Sequence, residues 1–66
     1  MTLLLSGGPH GGEDHTFPSA TPGAVLDLPS ARAGRVERYE LRQAVDPMGE
    51  PIDGEFMAIF VGTVRL

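Results

Sequence analysis

The feature that most constrains this chain is a stretch near its end, Glu55–Leu66, that is apolar on two sides. Successive side chains of a β-strand point to opposite faces of the sheet, so each alternate set lies on one face. The two apolar sets are Phe56, Ala58 and Phe60 on one face and Met57, Ile59 and Val61 on the other. Such a strand is predicted to be buried on both sides, which favours a closed barrel, a sandwich or a subunit interface.

The segment before it, Arg35–Val45, is predicted to be a partner strand, joined to it by a turn-rich loop at Asp46–Gly54. Tyr39 and Leu41 share one face and are expected to point to the core. The opposite face is a solvated charged stripe of Arg38, Glu40 and Arg42. A helix is the alternative for this segment, but its β-branched and aromatic residues favour a strand.

Three shorter strands are predicted upstream, at Thr2–Ser6, Glu13–Phe17 and Ala24–Leu28, separated by segments rich in glycine and proline. The first two would form a hairpin around the glycine-rich turn, Gly7–Gly12. The chain, residues 1–66, is therefore predicted to be a single small all-β domain of about five short strands. They would form a small barrel or two packed β-hairpins, with no substantial helix.

The short length and the absence of cysteine limit how such a fold is stabilised. A chain of 66 residues buries only about 60% of its unfolded surface. Without cysteine it forms neither a disulfide nor a thiolate metal site. Small domains of this kind rely on tight packing or on a partner subunit. We therefore expect protein partners, either in a homo-oligomer or in a larger assembly.

The charge balance disfavours nucleic acid as a direct partner. Five arginines and no lysine oppose nine acidic residues, which gives a net charge of −4, whereas phosphate backbones are bound by excess positive charge. The opening Met1–Leu5 lacks the positive region and the length of a secretion signal. No segment approaches the about 18 apolar residues of a membrane span. We expect neither secretion by a signal peptide nor a membrane partner.

A metal site is considered at His10, Glu13, Asp14 and His15, which place four ligating side chains within six residues. Neighbours along a strand point to opposite faces, so Asp14 and His15 are not expected to converge. The spacing matches no zinc pattern, and a polar loop edge explains the residues without a ligand. We expect no bound metal and no cofactor.

The glycine-rich turn is a second candidate site, for a phosphate or a nucleotide. It lacks the Lys-Ser/Thr ending of a P-loop, no helix follows it, and a hairpin turn alone accounts for the glycines. Arginine binds phosphate bidentately. The candidate anion-binding residues are Gly7, Gly8, Gly11, Gly12, Arg35, Arg38 and Arg42.

Calcium binding and catalysis are the remaining chemical alternatives. The acidic residues of the Asp46–Gly54 loop do not follow the order of an EF-hand. Ser6, His10, Asp14 and His15 offer a notional triad, but so short a chain hardly encloses a pocket of about 300 Å³ within one subunit. We expect no enzymatic activity.

The segment Leu4–Glu13 resembles the opening of small actinobacterial and actinophage β proteins, in which an apolar strand runs into Gly-Gly-Pro-x-x-Gly and a short polar strand. Arg38–Leu41, followed by a loop and a second strand, is similar to their usual ending. The chain departs from the commoner form at His10 and Gly11, where an acidic residue followed by glycine is frequent. The resemblance implies a phage or prophage origin and assigns no function to any residue.

Together these features predict a non-enzymatic structural or interaction module. We expect a phage virion component that decorates or cements a capsid or tail, found in the virion or the host cytoplasm. The expected core and interface residues are Phe56, Met57, Ile59, Phe60, Val61, Tyr39 and Leu41. The alternative is a small phage-encoded oligomer that sequesters a nucleotide signal against host defence, with glycine turns and arginines of adjoining subunits forming the pocket.

Overall fold

The computed structural model describes all residues, 1–66. The chain forms five β-strands in one mixed sheet, which is curled into an open half-barrel. The strands are β1 (Thr2–Ser6), β2 (Asp14–Thr16), β3 (Val25–Pro29), β4 (Arg35–Val45) and β5 (Pro51–Arg65). The predicted all-β fold with five strands and no substantial helix is confirmed. No helix is present that is long and apolar enough to cross a membrane.

Strand β5 occupies the centre of the sheet, whose order is β2-β1-β5-β4-β3. The β1–β2, β4–β5 and β3–β4 pairs are antiparallel. The β1–β5 pair is parallel and short, with Leu5 opposite Ala58 and Ser6 opposite Ile59. The most apolar strand thus has a neighbouring strand on each side, β1 and β4, which lets it bury more surface than an edge strand would.

The hydrophobic core lies on one face of the sheet, which we call the inner face. The core residues, each at most 9% exposed, are Leu5, Phe17, Leu28, Tyr39, Leu41 and Ala58. Phe56 and Phe60 are half-buried against them. Alternation along β4 also brings Glu37 to this face, where it is buried and accepts a hydrogen bond from the Thr63 hydroxyl. That bond offsets part of the cost of burying a polar group.

The loop between β4 and β5 is shorter than predicted, because β5 begins at Pro51 and not at Glu55. Asp46 closes the turn by itself: its carboxylate accepts hydrogen bonds from the amides of Met48 and Glu50, each at 2.9 Å. An aspartate whose carboxylate accepts a hydrogen bond from the backbone amide two residues later forms an Asx-turn, which needs no other part of the chain. The residues after Glu50 are therefore free to continue the antiparallel ladder, with Pro51 opposite Val45.

The outer half of the β4–β5 hairpin projects beyond the rest of the sheet. Strand β3 pairs with β4 only as far as Glu40, and β1 pairs with β5 only at Ala58 and Ile59. The molecule is accordingly elongated, with extents of 41 × 21 × 19 Å.

Candidate functional site

The face of the sheet opposite the core carries an exposed apolar patch. We define this outer patch as Leu4, Met57, Ile59 and Val61. Leu4 is 61% exposed, Met57 46% and Val61 51%, while Ile59 is half-buried. The parallel register places Ser6 beside Ile59, and so Leu4 beside Met57. Val61 lies where the β4–β5 register shifts between Arg38 and Tyr39. The patch therefore runs along the middle of the sheet.

The rest of the chain covers only one face of β5, although the sequence predicted that both faces are buried. Phe17, which follows β2, is 1% exposed, and the glycine-rich turn packs on Phe60 and Tyr39. Both segments therefore fold onto the inner face. A chain of this length has too little apolar surface to build a second layer. Burial of the outer patch would have to come from another molecule.

Paired charges line the outer patch on the β4 side. Arg38 donates two hydrogen bonds to Asp27, at 2.8 and 2.9 Å, and Arg42 donates two to Glu40, at 3.2 and 3.1 Å. The hydrogen bond from Arg38 lowers the pKa of Asp27, and the same bond raises the pKa of Arg38. The four charges sum to zero beside the patch, although the chain as a whole carries −4.

The glycine-rich turn packs on the core, and two of its glycine amides donate hydrogen bonds within the chain. The amides of Gly11 and Gly12 donate to the carbonyls of Gly8 and Leu5. A Cβ at Gly8 would stand 2.5 Å from Cγ of Phe60, and φ there is +67°. A glycine is required at this position by close packing as well as by backbone conformation. The turn has an architectural explanation that involves no anion.

The candidate anion-binding arginines do not meet the glycine turn within one chain. Arg38 and Arg42 point to the outer face and are already paired with carboxylates, whereas the turn lies over the inner face. Arg35 is half-buried near the start of β4, opposite Arg65. A nucleotide pocket made by adjoining subunits stays a hypothesis, and calorimetry against a nucleotide panel tests it.

Both histidines of the chain meet at one carboxylate on the inner side of β2. Glu13 Oε1 lies 3.0 Å from His10 Nδ1 and 2.8 Å from His15 Nε2. Hydrogen bonds to the Pro29 carbonyl and to Glu13 raise the pKa of His10. Hydrogen bonds from His15 and His10 lower the pKa of Glu13. These three side chains are the only group of His, Cys, Asp or Glu positioned to hold a metal ion.

Comparisons with known proteins identify no relative: no family model, no curated protein and no solved structure matches this chain. The chain also encloses no pocket for a small ligand. The outer patch and the His–Glu–His cluster are therefore interpreted from their own geometry.

Sequence reasoning located part of each feature. It named Met57, Ile59 and Val61 as interface residues and left Leu4 out of that set, although the unbroken Leu3–Leu5 run presents leucine to both faces. It weighed His10, Glu13, Asp14 and His15 as ligands and expected none. Asp14 does diverge from His15, as alternation requires, but Glu13 and His15 are two residues apart and share a face.

Proposed function

We propose that this protein is a non-enzymatic structural module that associates with further copies of itself through the outer patch. The observation that carries the proposal is the exposure of Leu4, Met57 and Val61 in the middle of a sheet, where the chain itself supplies no cover. Isolated exposed apolar residues are ordinary, but a contiguous set rimmed by polar groups is typical of an interaction surface.

The charges beside the patch favour a second copy as the partner. In a two-fold interface each surface meets its own equivalent, so it must complement itself. A row of one sign would repel its copy, whereas Asp27, Arg38, Glu40 and Arg42 carry both signs and cancel. The overall net charge of −4 opposes close approach elsewhere on the chain. On its β4 side the outer patch therefore presents a second copy with both signs of charge, while on its β1 side Asp14, opposite Leu4, adds one carboxylate.

We further propose that the assembly is a phage virion component that decorates or cements a capsid or tail. The support is the resemblance of the Gly-Gly-Pro-x-x-Gly opening to actinophage proteins, together with the lack of an enclosed pocket. Mass spectrometry of purified particles from the source phage tests this part. Absence of the chain from particles in which the major capsid protein is fully sampled would contradict it.

The self-association is tested by sedimentation velocity on the wild-type chain and on Met57→Asp. We expect wild-type oligomers that become monomeric in the variant, because the interface would bury an unpaired carboxylate. Met48→Asp is the matched control, since Met48 is 87% exposed in the β4–β5 turn, away from the patch. A wild-type chain that stays monomeric at high concentration, or a Met48→Asp variant that dissociates equally, would contradict the proposal.

A further inference from the structure

We propose that His10, Glu13 and His15 form a binding site for a divalent transition-metal ion, and that Zn²⁺ is the ion this donor set fits best. Two imidazole nitrogens and one carboxylate oxygen are common zinc ligands, and hard ions such as Mg²⁺ and Ca²⁺ prefer sites made of oxygen alone. The cluster lies on the inner side of β2, so this inference is independent of the outer patch and of self-association.

The separations among the three donor atoms suit a single small ion. Ligand bonds of about 2.0–2.2 Å in a tetrahedron place neighbouring donors about 3.3 Å apart. The Glu13 oxygen is 3.0 and 2.8 Å from the two nitrogens, and all three donors lie within 4.8 Å of one another. An ion is therefore accommodated by side-chain adjustments of less than about 1.5 Å, without a change of the backbone.

His10 is held in the orientation that a ligand requires. Its Nε2 lies 2.8 Å from the carbonyl oxygen of Pro29, which only accepts hydrogen bonds, so Nε2 carries the proton. Nδ1 lies 3.0 Å from Glu13 Oε1 and points into the cluster, so a bound ion would take the place of the proton that Nδ1 donates to Glu13. A hydrogen bond from the far nitrogen to a backbone carbonyl is the usual outer support of a metal-bound histidine. The backbone amide of His10 is fixed as well, by its bond to the Tyr39 hydroxyl.

The cluster is open to solvent on one side, which leaves coordination positions for water or a further ligand. The side chains of His10, Glu13 and His15 are 21%, 50% and 29% exposed. Three protein ligands and an open position are the arrangement of accessible zinc sites. A bound ion would join the glycine-rich turn to β2 and, through Pro29, to β3. It would stabilise by metal ligation a domain that has no cysteine for disulfides.

Isothermal calorimetry with ZnCl₂ at pH 8 tests the site, using the full chain without a histidine tag and after treatment with a chelator. We expect one Zn²⁺ per chain, and a Co²⁺ adduct with the visible absorption of a low-coordinate nitrogen and oxygen site. Zn²⁺ should also raise the thermal midpoint, because it binds the folded chain.

His15→Gln and Glu13→Gln should each lower the affinity for Zn²⁺ at least about tenfold. Removing only a hydrogen-bond partner of a metal ligand already costs about that much, and these variants remove a ligand itself. Asp14→Asn is the matched control: it removes an adjacent carboxylate that points to the outer face, and it should leave the affinity unchanged. Far-ultraviolet circular dichroism checks that each variant folds.

Absence of both heat and a Co²⁺ spectrum in the wild-type chain would overturn the proposal. Equal affinity in His15→Gln and wild type, or a loss confined to Asp14→Asn, would also overturn it. If His15→Gln does not fold, the Co²⁺ spectrum of the wild-type chain decides by itself, because imidazole ligands change its energy and intensity.

Discussion

At the scale of single residues, Tyr39 links separate parts of the fold. It is fully buried, and its ring centroid lies 5.3 Å from that of Phe60. Its hydroxyl donates to the Gly7 carbonyl at 2.7 Å and accepts from the His10 amide at 3.0 Å. One phenol thus ties the glycine-rich turn to the central strands.

Tyr39→Phe is expected to lower the free energy of unfolding by about 1–3 kcal/mol, because it leaves a part-buried carbonyl and a part-buried amide without their partner. The ring volume is preserved, so no cavity contributes. Urea denaturation at fixed protein concentration measures the change. A midpoint equal to that of the wild type would show that water replaces the hydroxyl at no cost.

The glycine-rich turn offers a matched pair of substitutions. Gly8→Ala should cost about 2–5 kcal/mol, since it adds a clash with Phe60 and Tyr39 to the cost of a positive φ. Gly12→Ala, at φ +88° with open space around it, should cost only about 1–2 kcal/mol. Thermal unfolding of both variants makes the comparison. Equal losses would mean that packing against the turn is not tight.

At the scale of elements, the edge strand β3 is bound to β4 by five residue pairs and by the ion pair of Asp27 with Arg38. The two side chains are 35% and 37% exposed, so solvent screens their attraction. The pair is therefore expected to orient the β3 edge and to add little to stability.

The lowered pKa of Asp27 predicts the direction of a pH effect. The unfolded chain takes up this proton near the usual pKa of about 3.9, and the folded chain does so only at lower pH. The contribution is therefore complete above the unfolded pKa and is lost as pH falls through the folded one. Asp27→Asn should cost at most about 1 kcal/mol at pH 7, and progressively less as the pH falls below the unfolded pKa. A constant difference across this range would assign the loss to another cause.

At the scale of the whole molecule, the structure is an open half-barrel with one covered face and one apolar face exposed. The long β4–β5 hairpin supplies both surfaces: Ala58 on β5 is 1% exposed in the core, while its neighbour Met57 is 46% exposed outside. The fold therefore leaves its second face without intramolecular cover.

Association through the outer patch predicts a thermal midpoint that rises with protein concentration, because oligomers stabilise the folded chain by mass action. Calorimetric scans over a hundredfold range of concentration should show the rise for the wild type. The Met57→Asp variant should unfold at one temperature throughout. A wild-type midpoint independent of concentration would indicate that the chain is stable without a partner.

The sequence by itself determined the class of fold and the approximate position of every strand. Alternation in β4 and in the later part of β5, together with the Gly and Pro segments upstream, carries that information locally. The sequence pattern placed the start of β5 at Glu55, but the strand begins at Pro51. The side chain of Asp46 closes the turn in fewer residues than the loop composition indicates.

Only the tertiary structure decided that β1 pairs with β5 and β3 with β4, and which face of the sheet is covered. The parallel contact of β1 with β5 and the meeting of Glu13 with both histidines depend on how the glycine-rich turn folds over Tyr39. The β1–β5 pairing and the bond between Tyr39 and His10 join residues far apart in the chain, so no local pattern encodes them. The two apolar faces of β5 indicated that both faces need cover. The glycine-rich turn folds onto the inner face, so the chain covers only that one. Its few apolar residues suffice for a single layer.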